Sequence, residues 1–260
     1  MSNIHRARKR FGQNFLVDPD VIARIVSAIN PRPEDNLIEI GPGKAAITEH
    51  LVAACPAMSI VELDRDLVLF LSEKFAKIAE LNIHSGDALL TDFSQFYDGR
   101  KLRVVGNLPY NISTPLLFHL LSVGHLIDDM HFMLQREVVD RLSASPGSKS
   151  YGRLTVMIQY HCRVSPIIPV PPTAFSPAPK VQSAVVRLKP YPIKPYVAND
   201  EIFLGQLVNL CFQTRRKTLR NCLKPHEQYL NHLSEIIDLS QRPDQLNVAD
   251  FVAMANALSG

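Results

Sequence analysis

The architecture of this chain follows from one segment, Leu37-Ile38-Glu39-Ile40-Gly41-Pro42-Gly43. Its first four residues form a short apolar run that is typical of a buried strand, and its two glycines flank a proline in a tight turn. A helical pattern begins at once and covers residues 45–52. Glycines in a strand–turn–helix unit permit positive φ angles and let a ligand approach the backbone closely. The segment therefore predicts a nucleotide-type binding turn built around Gly41 and Gly43.

Two further strand ends downstream carry acidic residues. The strand at 59–63 contains Glu62, which lies about 20 residues beyond the turn, where a Rossmann-like site places its acceptor for ribose hydroxyls. The strand at 82–85 is followed by Gly86-Asp87-Ala88. Asp87 is a candidate acceptor for the amine of a cofactor adenine, and Ala88 belongs to the same site.

Two more carboxylates stand at these strand ends. We interpret Asp64 as a supporting residue rather than a direct ligand. Glu39 has two possible roles: it orients the glycine turn, or it is a solvated carboxylate at the end of its strand.

A fourth strand, residues 102–106, runs into Asn107-Leu108-Pro109-Tyr110. The Asn107 side-chain oxygen and a main-chain carbonyl of Leu108 or Pro109 can accept hydrogen bonds from an exocyclic amine, and the Tyr110 ring can stack on a base. Taken alone, the tetrapeptide is equally well explained as a loop that leaves a strand. Its position after three other glycine-bearing or acidic strand ends favours the binding of a planar base.

Strands and helices alternate through the first two thirds of the chain, which predicts an α/β, Rossmann-like fold with a mainly parallel seven-stranded sheet. In such sheets ligands bind outside the carboxyl ends of the strands. The predicted strands are 37–40, 59–63, 82–85, 102–106, 131–135, 156–164 and 183–189, and the predicted helices include Pro19–Ile29, Ile47–Ala54, Arg65–Lys77 and Thr114–Ser122.

The proline-rich segment Pro190-Tyr191-Pro192-Ile193-Lys194-Pro195 predicts a stiff linker. We therefore expect two domains, an α/β domain over residues 1–190 and a small all-helical domain over residues 191–260. Asn247 is a candidate N-cap for the last helix. The helices predicted in the second domain are Glu201–Cys211, Arg215–Leu223, Glu227–Leu233 and Val248–Leu258.

The composition limits the class of protein. Hydrophobic residues make up 46% of the 260 positions, which is enough for a substantial core, and no apolar run reaches the 18 residues expected of a membrane-spanning helix. The basic amino terminus lacks an apolar segment, so we expect no secretory signal and a cytoplasmic location. The four cysteines show no paired spacing and predict no metal site. Nothing in the sequence suggests an obligate interface, and we expect a monomer.

Basic residues are concentrated in two clusters, although the net charge is only +3. Each has a plain structural explanation, a solvated tail for the first and an exposed helix face for the second. Two clusters on a chain with a base-binding motif favour contact with phosphate groups. The first cluster contains Arg8, Lys9 and Arg10, and the second contains Arg215, Arg216, Lys217 and Arg220.

These motifs together resemble the S-adenosylmethionine-dependent methyltransferases, and most closely the ribosomal RNA adenine dimethyltransferase family. The resemblance covers nearly the whole chain. The later motifs of the chain are similar to those of the small-subunit branch. Ala45 departs from the pattern, because many methyltransferases have a third glycine there. The motifs are Phe11-Gly12-Gln13-Asn14-Phe15-Leu16, Glu39-Ile40-Gly41-Pro42-Gly43, Glu62-Leu63-Asp64, Gly86-Asp87-Ala88, Asn107-Leu108-Pro109-Tyr110, Phe175-Ser176-Pro177-Ala178-Pro179-Lys180-Val181 and Arg215-Arg216-Lys217-Thr218-Leu219-Arg220-Asn221.

The resemblance implies S-adenosylmethionine as cofactor, S-adenosylhomocysteine as product and no metal. It implies that Gln13, Asn14 and Leu16 close over the cofactor, although Asn14 is also explained as a turn residue or helix cap. It further implies that Phe175 stacks on the target base opposite Tyr110, although Phe175 is also explained as a core aromatic residue.

The implied reaction is dimethylation of the exocyclic amines of two adjacent adenosines in small-subunit (16S) ribosomal RNA, during ribosome biogenesis. The implied partner is an immature small ribosomal subunit. Residues 143–153, which include Arg153, form either a flap that contacts RNA or an ordinary solvent loop.

Three other functions remain open on sequence grounds. The protein could be a ribosome-assembly binding factor with secondary catalysis. It could be a large-subunit RNA methyltransferase that confers resistance, although the basic helical tail disfavours this. It could also be an amide-nitrogen protein methyltransferase, although those usually carry Asn-Pro-Pro-Tyr where this chain has Leu108.

Overall fold

The computed structural model of the chain describes residues 14–109 and 111–259. The predicted positions Arg8, Lys9, Arg10, Gln13 and Tyr110 lie outside the described residues. No helix of the described chain combines the length and the apolar character needed to cross a membrane.

The strands and helices alternate as the sequence predicts over most of the chain. The strands are β1 (Phe15–Leu16), β2 (Asn36–Ile40), β3 (Ser59–Glu62), β4 (Asn82–Ser85), β5 (Leu102–Asn107), β6 (Ile127–Gln135), β7 (Cys162–Val170), β8 (Phe175–Ser176) and β9 (Ser183–Pro190). The helices are α1 (Pro19–Ile29), α2 (Thr48–Ala54), α3 (Arg65–Lys74), α4 (Ser113–Ser122), α5 (Arg136–Leu142), α6 (Arg153–His161), α7 (Glu201–Gln213), α8 (Leu219–Cys222), α9 (Leu230–Ser234) and α10 (Val248–Leu258).

Seven strands form one sheet in the order β4-β3-β2-β5-β6-β9-β7, which confirms the predicted α/β class. The five strands from β4 to β6 are parallel, and β9 pairs antiparallel with β6. A separate ribbon pairs β1 with β8. Strands β2, β3 and β5 are each followed by a helix, α2, α3 and α4, which returns the chain so that the next strand runs in the same direction. All of their carboxyl ends therefore meet at one edge.

The amino ends of β5 and β6 are joined by a buried charged cluster. The Arg103 guanidinium contacts Asp129 on β6 at 3.0 Å and also contacts Asp35, which precedes β2. Arg187 on β9 reaches the second oxygen of Asp129 at 2.8 Å. Arg103 donates in addition to the carbonyl oxygens that end α1, at Ile29 and Asn30. The cluster connects three strands and one helix at the edge opposite the predicted binding edge.

The described residues divide into two compact units, and the division differs from the predicted boundary. Within the described positions, the first unit comprises Met1–Val139 and Ser165–Pro190, and the second comprises Asp140–Val164 and Tyr191–Gly260. One division between the units falls between Pro190 and Tyr191. Residues 140–164, which the sequence places in the first domain, instead pack with the helical segment.

Hydrogen bonds explain why this insertion belongs to the second unit. The Gln159 side chain donates to the Leu142 and Ala144 carbonyls, both at 3.0 Å. The Gly147 amide donates to the Asp244 carbonyl at 2.6 Å, and the Tyr191 amide donates to the His161 carbonyl. The bonds of Gln159 hold the inserted segment together, and the other two join it to the C-terminal part of the chain.

Three predicted elements are corrected. The expected strand 156–164 is largely wrong, because residues 153–161 form α6 and the strand begins at Cys162. Five consecutive residues of α6, 154–158, are buried, so this run shows no helical periodicity that the sequence could reveal. The helix expected over 215–223 is confined to α8, and the one expected over 227–233 begins at Leu230 after a 3₁₀ segment.

Candidate active site

A single cavity at the carboxyl ends of the parallel strands collects the predicted site residues. Every nominated cofactor-binding or catalytic residue that the structure describes lines it. These residues are Asn14, Leu16, Glu39, Gly41, Gly43, Glu62, Asp87, Ala88, Asn107, Leu108, Pro109 and Phe175. They come from strand ends and from the β1–β8 ribbon, which are far apart in sequence.

The turn after β2 needs glycine for its backbone conformation. Gly41 and Gly43 have φ angles of 66° and 59°, in the left-handed region that residues with a side chain rarely adopt. A Cβ atom on Gly43 would lie 3.2 Å from the Phe15 ring. Ala45 also has a positive φ, 68°, so the position where the family pattern has a third glycine keeps a glycine-like backbone in this chain. Gly41 and Gly43 both line the cavity.

Glu62 closes the end of β3 and is held by its neighbours. Its Oε1 accepts a hydrogen bond from the Asp64 amide at 2.8 Å. Asp64 in turn caps α3 by accepting from the Asp66 amide at 3.1 Å. It also lines the cavity, and its supporting role stays a prediction. Burial raises the pKa of Glu62 above its usual range, opposed by amides such as that of Asp64.

Glu39 is deeply buried rather than solvated. Its exposed fraction is 3%, and its Oε2 has no hydrogen-bond partner among the described residues. Burial raises the pKa of Glu39 to about 7, and the nearby Glu62 adds to the rise, whereas the Thr48 hydroxyl lowers it. The alternative of a solvated strand-end carboxylate is therefore wrong.

Asp87 lies beyond β4 with its loop folded around it. Its Oδ1 accepts from the Leu89 amide at 2.9 Å, and its carbonyl accepts from the Thr91 hydroxyl. The carboxylate keeps Oδ2 as an acceptor for a ligand. This geometry suits an exocyclic amine donor.

The Asn107 amide is oriented by the N-terminal segment. Its Nδ2 donates to the Asn14 carbonyl at 3.3 Å, which leaves Oδ1 as the acceptor of this side chain. Two nearby backbone groups are already engaged: the Leu108 amide donates to Met133, and the Pro109 carbonyl accepts from the Ile112 amide. Because the Pro109 carbonyl already accepts one hydrogen bond, we favour the Leu108 carbonyl as the main-chain acceptor, and this role stays a prediction.

Gly106 allows Asn107 to reach the cavity. A Cβ atom at Gly106 would lie 2.6 Å from the carbonyl oxygen of Ile40 on the neighbouring strand β2. Because that neighbour is backbone, it has little freedom to move away. The sequence did not indicate this close approach, because Gly106 was predicted only as the last residue of an apolar strand.

Phe175 both lines the cavity and belongs to the core. Its exposed fraction is 5%, and β8 sets it opposite Leu16 of β1. The two explanations from the sequence, a stacking ring and a core aromatic, are thus both compatible with its position. The stacking role stays a prediction, as does that of Tyr110.

Several lining residues were not predicted, notably Phe15, Lys44, Leu63 and Asn111. The Lys44 ammonium lies 4.7 Å from the centre of the Phe15 ring. Leu63 is 49% exposed, which is unusual for a leucine and provides an apolar wall beside Glu62. In the sequence, only the position of Leu63 between two acidic residues pointed to the cavity.

The predicted RNA-contacting residues in the second unit fall into two groups. Arg216, Lys217 and Arg220 are exposed. Arg215 instead bonds within the unit, to the Asp244 carboxylate at 3.2 Å and to the carbonyls of Ser148 and Lys149. Arg153 is exposed and donates to the Asn209 side chain at 3.1 Å.

Arg215 thereby fixes the loop at 143–153, because it holds two consecutive carbonyls of that loop against the C-terminal segment. No metal centre accompanies these groups: within residues 14–109 and 111–259, His, Cys, Asp and Glu side chains nowhere gather in a set of three able to hold a metal ion.

Comparison with known proteins agrees with this geometry. The family model described as ribosomal RNA adenine dimethylase matches residues 4–259. The chain belongs to the ribosomal RNA adenine dimethylase family. Within this family, a relative from Saccharophagus degradans, called ribosomal RNA small subunit methyltransferase A, is 56% identical and is aligned over 98% of this chain and 95% of its own length. A protein of the same name from Marinobacter nauticus is 55% identical over 98% of this chain and 92% of its own length.

Solved structures support the adenine dimethylase fold. A dimethyladenosine transferase from Plasmodium falciparum superposes with a TM-score of 0.81 at 25% identity, covering 94% of this chain and 95% of that protein. The 23S rRNA methyltransferase ErmE superposes with a TM-score of 0.73 at 22% identity, covering 95% of this chain and all of that protein. The predicted class I methyltransferase fold is confirmed.

Proposed function

We propose that this protein uses S-adenosylmethionine to add two methyl groups to the exocyclic amine of each of two adjacent adenosines in small-subunit ribosomal RNA. The observation that carries the proposal is the single cavity in which the glycine turn, the acidic strand ends and Asn107-Leu108-Pro109 meet. The full-length match to the adenine dimethylase family and the names of its relatives support the choice of substrate.

The residues present fit the cofactor. The left-handed turn at Gly41 and Gly43 offers bare backbone for the methionine portion. Glu62 would accept from the ribose hydroxyls and Asp87 from the adenine amine, with Ala88 beside it. Asn14 and Leu16, on the segment that leads into and forms β1, would cover the opposite side. When bound, the cofactor supplies an electrophilic methyl group on a sulfonium.

The protein groups act on the target amine. The nitrogen of adenine's amine is a poor nucleophile because its lone pair is delocalised into the ring. The Asn107 Oδ1 and the Leu108 carbonyl would accept its two hydrogens, favouring a pyramidal nitrogen and stabilising the positive charge that develops on it. Correct alignment against the methyl donor can itself supply about 7–11 kcal/mol. No general base is needed before transfer, because the nitrogen becomes acidic as it is alkylated.

Reaching the amine requires the adenine to leave its stack. Phe175, which lines the cavity, would contact one face of the base and Tyr110 the other. Each base–aromatic stack is worth about 1–3 kcal/mol.

The exposed cations of the second unit would hold the RNA. Arg216, Lys217 and Arg220 are the three charges we assign to phosphate contact, with Arg153 at the start of α6 as a further contact. The internal bonds of Arg215 give it a positioning role instead. We also place the protein in the cytoplasm, with its substrate; the monomeric state stays a prediction.

The triple variant Arg216→Gln, Lys217→Gln, Arg220→Gln tests this assignment. We expect weaker binding to the small subunit and a salt dependence whose logarithmic slope is shallower by roughly 2–3, since each lost phosphate contact removes about one. The matched control, Arg24→Gln, Lys77→Gln, Lys101→Gln, removes three exposed charges from the first unit. An equal change in both variants would refute a specific phosphate-binding surface.

The reaction itself is tested with labelled S-adenosylmethionine and four substrates: unmethylated small subunits, large subunits, and each RNA stripped of protein. Digested RNA is read by mass spectrometry. Dimethyladenosine in small-subunit particles is the expected result. Label in naked large-subunit RNA would instead assign the protein to large-subunit methylation, and tight subunit binding without label would assign it to assembly.

A further inference from the structure

Glu39 is a buried carboxylate that would be stabilised in its ionised form by a nearby cation. It lies near the carboxyl end of β2 and lines the cavity, and only 3% of the residue is exposed. Its Oε2 accepts no hydrogen bond from any described residue. An ionised carboxylate in such a place is costly unless a proton or a cation compensates it.

The charged groups around the cavity do not supply that cation. Glu62, on β3, is another buried carboxylate and raises the cost of ionising Glu39. Asp64 and Asp87 also line the cavity and are acidic. Lys44 is the one lining residue in the described set with a permanent positive charge, and its ammonium lies over the Phe15 ring. The cavity is therefore built with an excess of negative charge.

The proposed cofactor and its product differ in the charge that this cavity would meet. S-adenosylmethionine carries a sulfonium, whereas S-adenosylhomocysteine carries an uncharged thioether; their ammonium, carboxylate, ribose and adenine groups are the same. Residues that contact only the shared groups cannot distinguish the two ligands. A buried carboxylate that responds to the total charge in the cavity can.

We infer that Glu39 is a specificity-determining residue that releases its proton when the cationic methyl donor enters and takes one up again when the neutral product forms. This inference rests on the proposed cofactor. The proton passes from the Glu39 carboxyl to solvent on donor binding, and no covalent bond of the protein changes. After methyl transfer the sulfonium charge is gone, and Glu39 is again buried beside Glu62 without a compensating cation. Donor binding is thereby favoured over product binding.

The pKa of about 7 that burial imposes on Glu39 defines the pH window. A bound cation lowers this pKa, so donor binding releases a proton below about pH 7 and its affinity rises with pH until Glu39 is ionised in the free protein as well. One linked proton gives roughly a tenfold fall in the donor's dissociation constant between pH 6 and pH 8. The product should show a shallower dependence over the same range.

Calorimetry tests the inference on the full chain. S-adenosylmethionine and S-adenosylhomocysteine are titrated at pH 6, 7 and 8, each in two buffers of different ionisation enthalpy, so that the number of protons released is measured directly. For the unaltered protein at pH 6 we expect close to one proton released with the donor and clearly fewer with the product. Equal proton release with both ligands, or none with either, would overturn the inference.

Glu39→Gln keeps the shape and removes the titrating group. We expect it to abolish the extra proton release and to reduce the donor-to-product preference at pH 8 by about tenfold for each unit by which the donor lowers the pKa of Glu39. Glu49→Gln, an exposed position on the neighbouring helix α2, is the matched control and should change neither quantity. Glu62→Gln should weaken both ligands, since its proposed partner is the ribose that they share.

The two proposals fail in different ways. Absence of donor binding at every pH would contradict the proposed cofactor. Donor binding with an unchanged proton count in Glu39→Gln would leave the cofactor in place and refute the role of Glu39.

Discussion

Buried carboxylates stand at both ends of the central strands, and their surroundings are opposite. At the amino ends, Asp129 is 1% exposed and meets two guanidinium groups, those of Arg103 and Arg187. At the carboxyl ends, Glu39 and Glu62 are as deeply buried, but Glu39 keeps an oxygen with no partner in the described chain. The sheet thus has one edge whose charges are neutralised internally and one edge whose charges are not.

The pKa values follow the same division. Burial alone would raise the pKa of Asp129, but its hydrogen bonds to Arg103 and Arg187 hold it below its usual range. Burial raises the pKa of Glu39 and Glu62 because no such cation faces them. Buried carboxylates therefore have opposite pKa shifts at the two edges, and the difference lies in their partners. An edge that leaves its carboxylates uncompensated is organised for a ligand rather than for stability.

The largest effect is expected from Arg103→Leu at the neutralised edge. Removing this guanidinium leaves Asp35 without its ion-pair partner and Asp129 with one guanidinium, that of Arg187. Breaking one side of a buried ion pair typically costs about 3–5 kcal/mol, and we expect a loss of that size in the free energy of unfolding, measured in urea. Arg100→Leu is the control, because its pair with Asp98 is exposed and such pairs contribute under about 1 kcal/mol. Similar losses in both variants would contradict the account of this edge.

Glu39→Gln should stabilise the ligand-free protein at high pH. The pKa of Glu39 rises from 4.5 to about 7 on folding, so its contribution to stability is fully present below pH 4.5 and is lost as pH rises through 7. At pH 8 the variant should therefore be more stable by up to about 3 kcal/mol, and near pH 4.5 the difference should vanish. Urea unfolding across this range measures it.

Asp129→Asn should change the free energy of unfolding in the opposite direction. Its lowered pKa means that the carboxylate stabilises the folded protein above pH 3.8 and that this contribution is lost as pH falls. At pH 8 this variant should be less stable than the unaltered protein. If both substitutions shift the free energy of unfolding in the same direction, the contrast between the two edges is wrong.

Gly106→Ala tests whether the open edge depends on a close approach of strands. The new methyl group would meet the Ile40 carbonyl at 2.6 Å, and overpacking of this kind costs about 1–3 kcal/mol. Because Asn107 is the next residue, we expect methyl transfer to fall more than the cofactor affinity does. Gly124→Ala is the control, since its Cβ would meet nothing within 4 Å. Unaltered activity in Gly106→Ala would show that the approach is not needed for catalysis.

The smallest effect on stability is expected at Asn107. Asn107→Ala removes one bond of 3.3 Å to the Asn14 carbonyl, and a hydrogen bond contributes about 0.5–1.5 kcal/mol. Methyl transfer should be abolished, while calorimetry should show less than a tenfold change in cofactor affinity. Retained methyl transfer would remove Asn107 from the chemistry that we propose.

The strand ends were predictable because each follows a short apolar run and carries a glycine, a carboxylate or an amide. Parallel topology then brings these ends to one edge, which places Glu62, Asp87 and Asn107 around a single cavity. The turn at Gly41 and Gly43 was predictable for the same reason. Local pattern and topology point to the same site.

Other features depend on contacts that a pattern does not encode. The segment 140–164 joins the second unit through bonds to residues far along the chain, such as that between Gly147 and Asp244. Arg215 looked like its exposed neighbours because the sequence does not show that Asp244 and two carbonyls occupy its guanidinium. The burial of Glu39 is hidden likewise, since a strand-end carboxylate is solvated or enclosed according to what packs over it.

The β1–β8 ribbon has a consequence for the order in which the protein forms during its synthesis. Leu16 pairs with Phe175, and both line the cavity, so one wall consists of a segment made early and another made late. At roughly 5–20 residues per second, translation separates the two by many seconds. Until the later strand emerges, the parallel strands β2 to β5 can assemble without that wall. A nascent chain is therefore expected to gain its sheet before it gains a closed cavity, and methyl-donor binding is a property of the finished first unit.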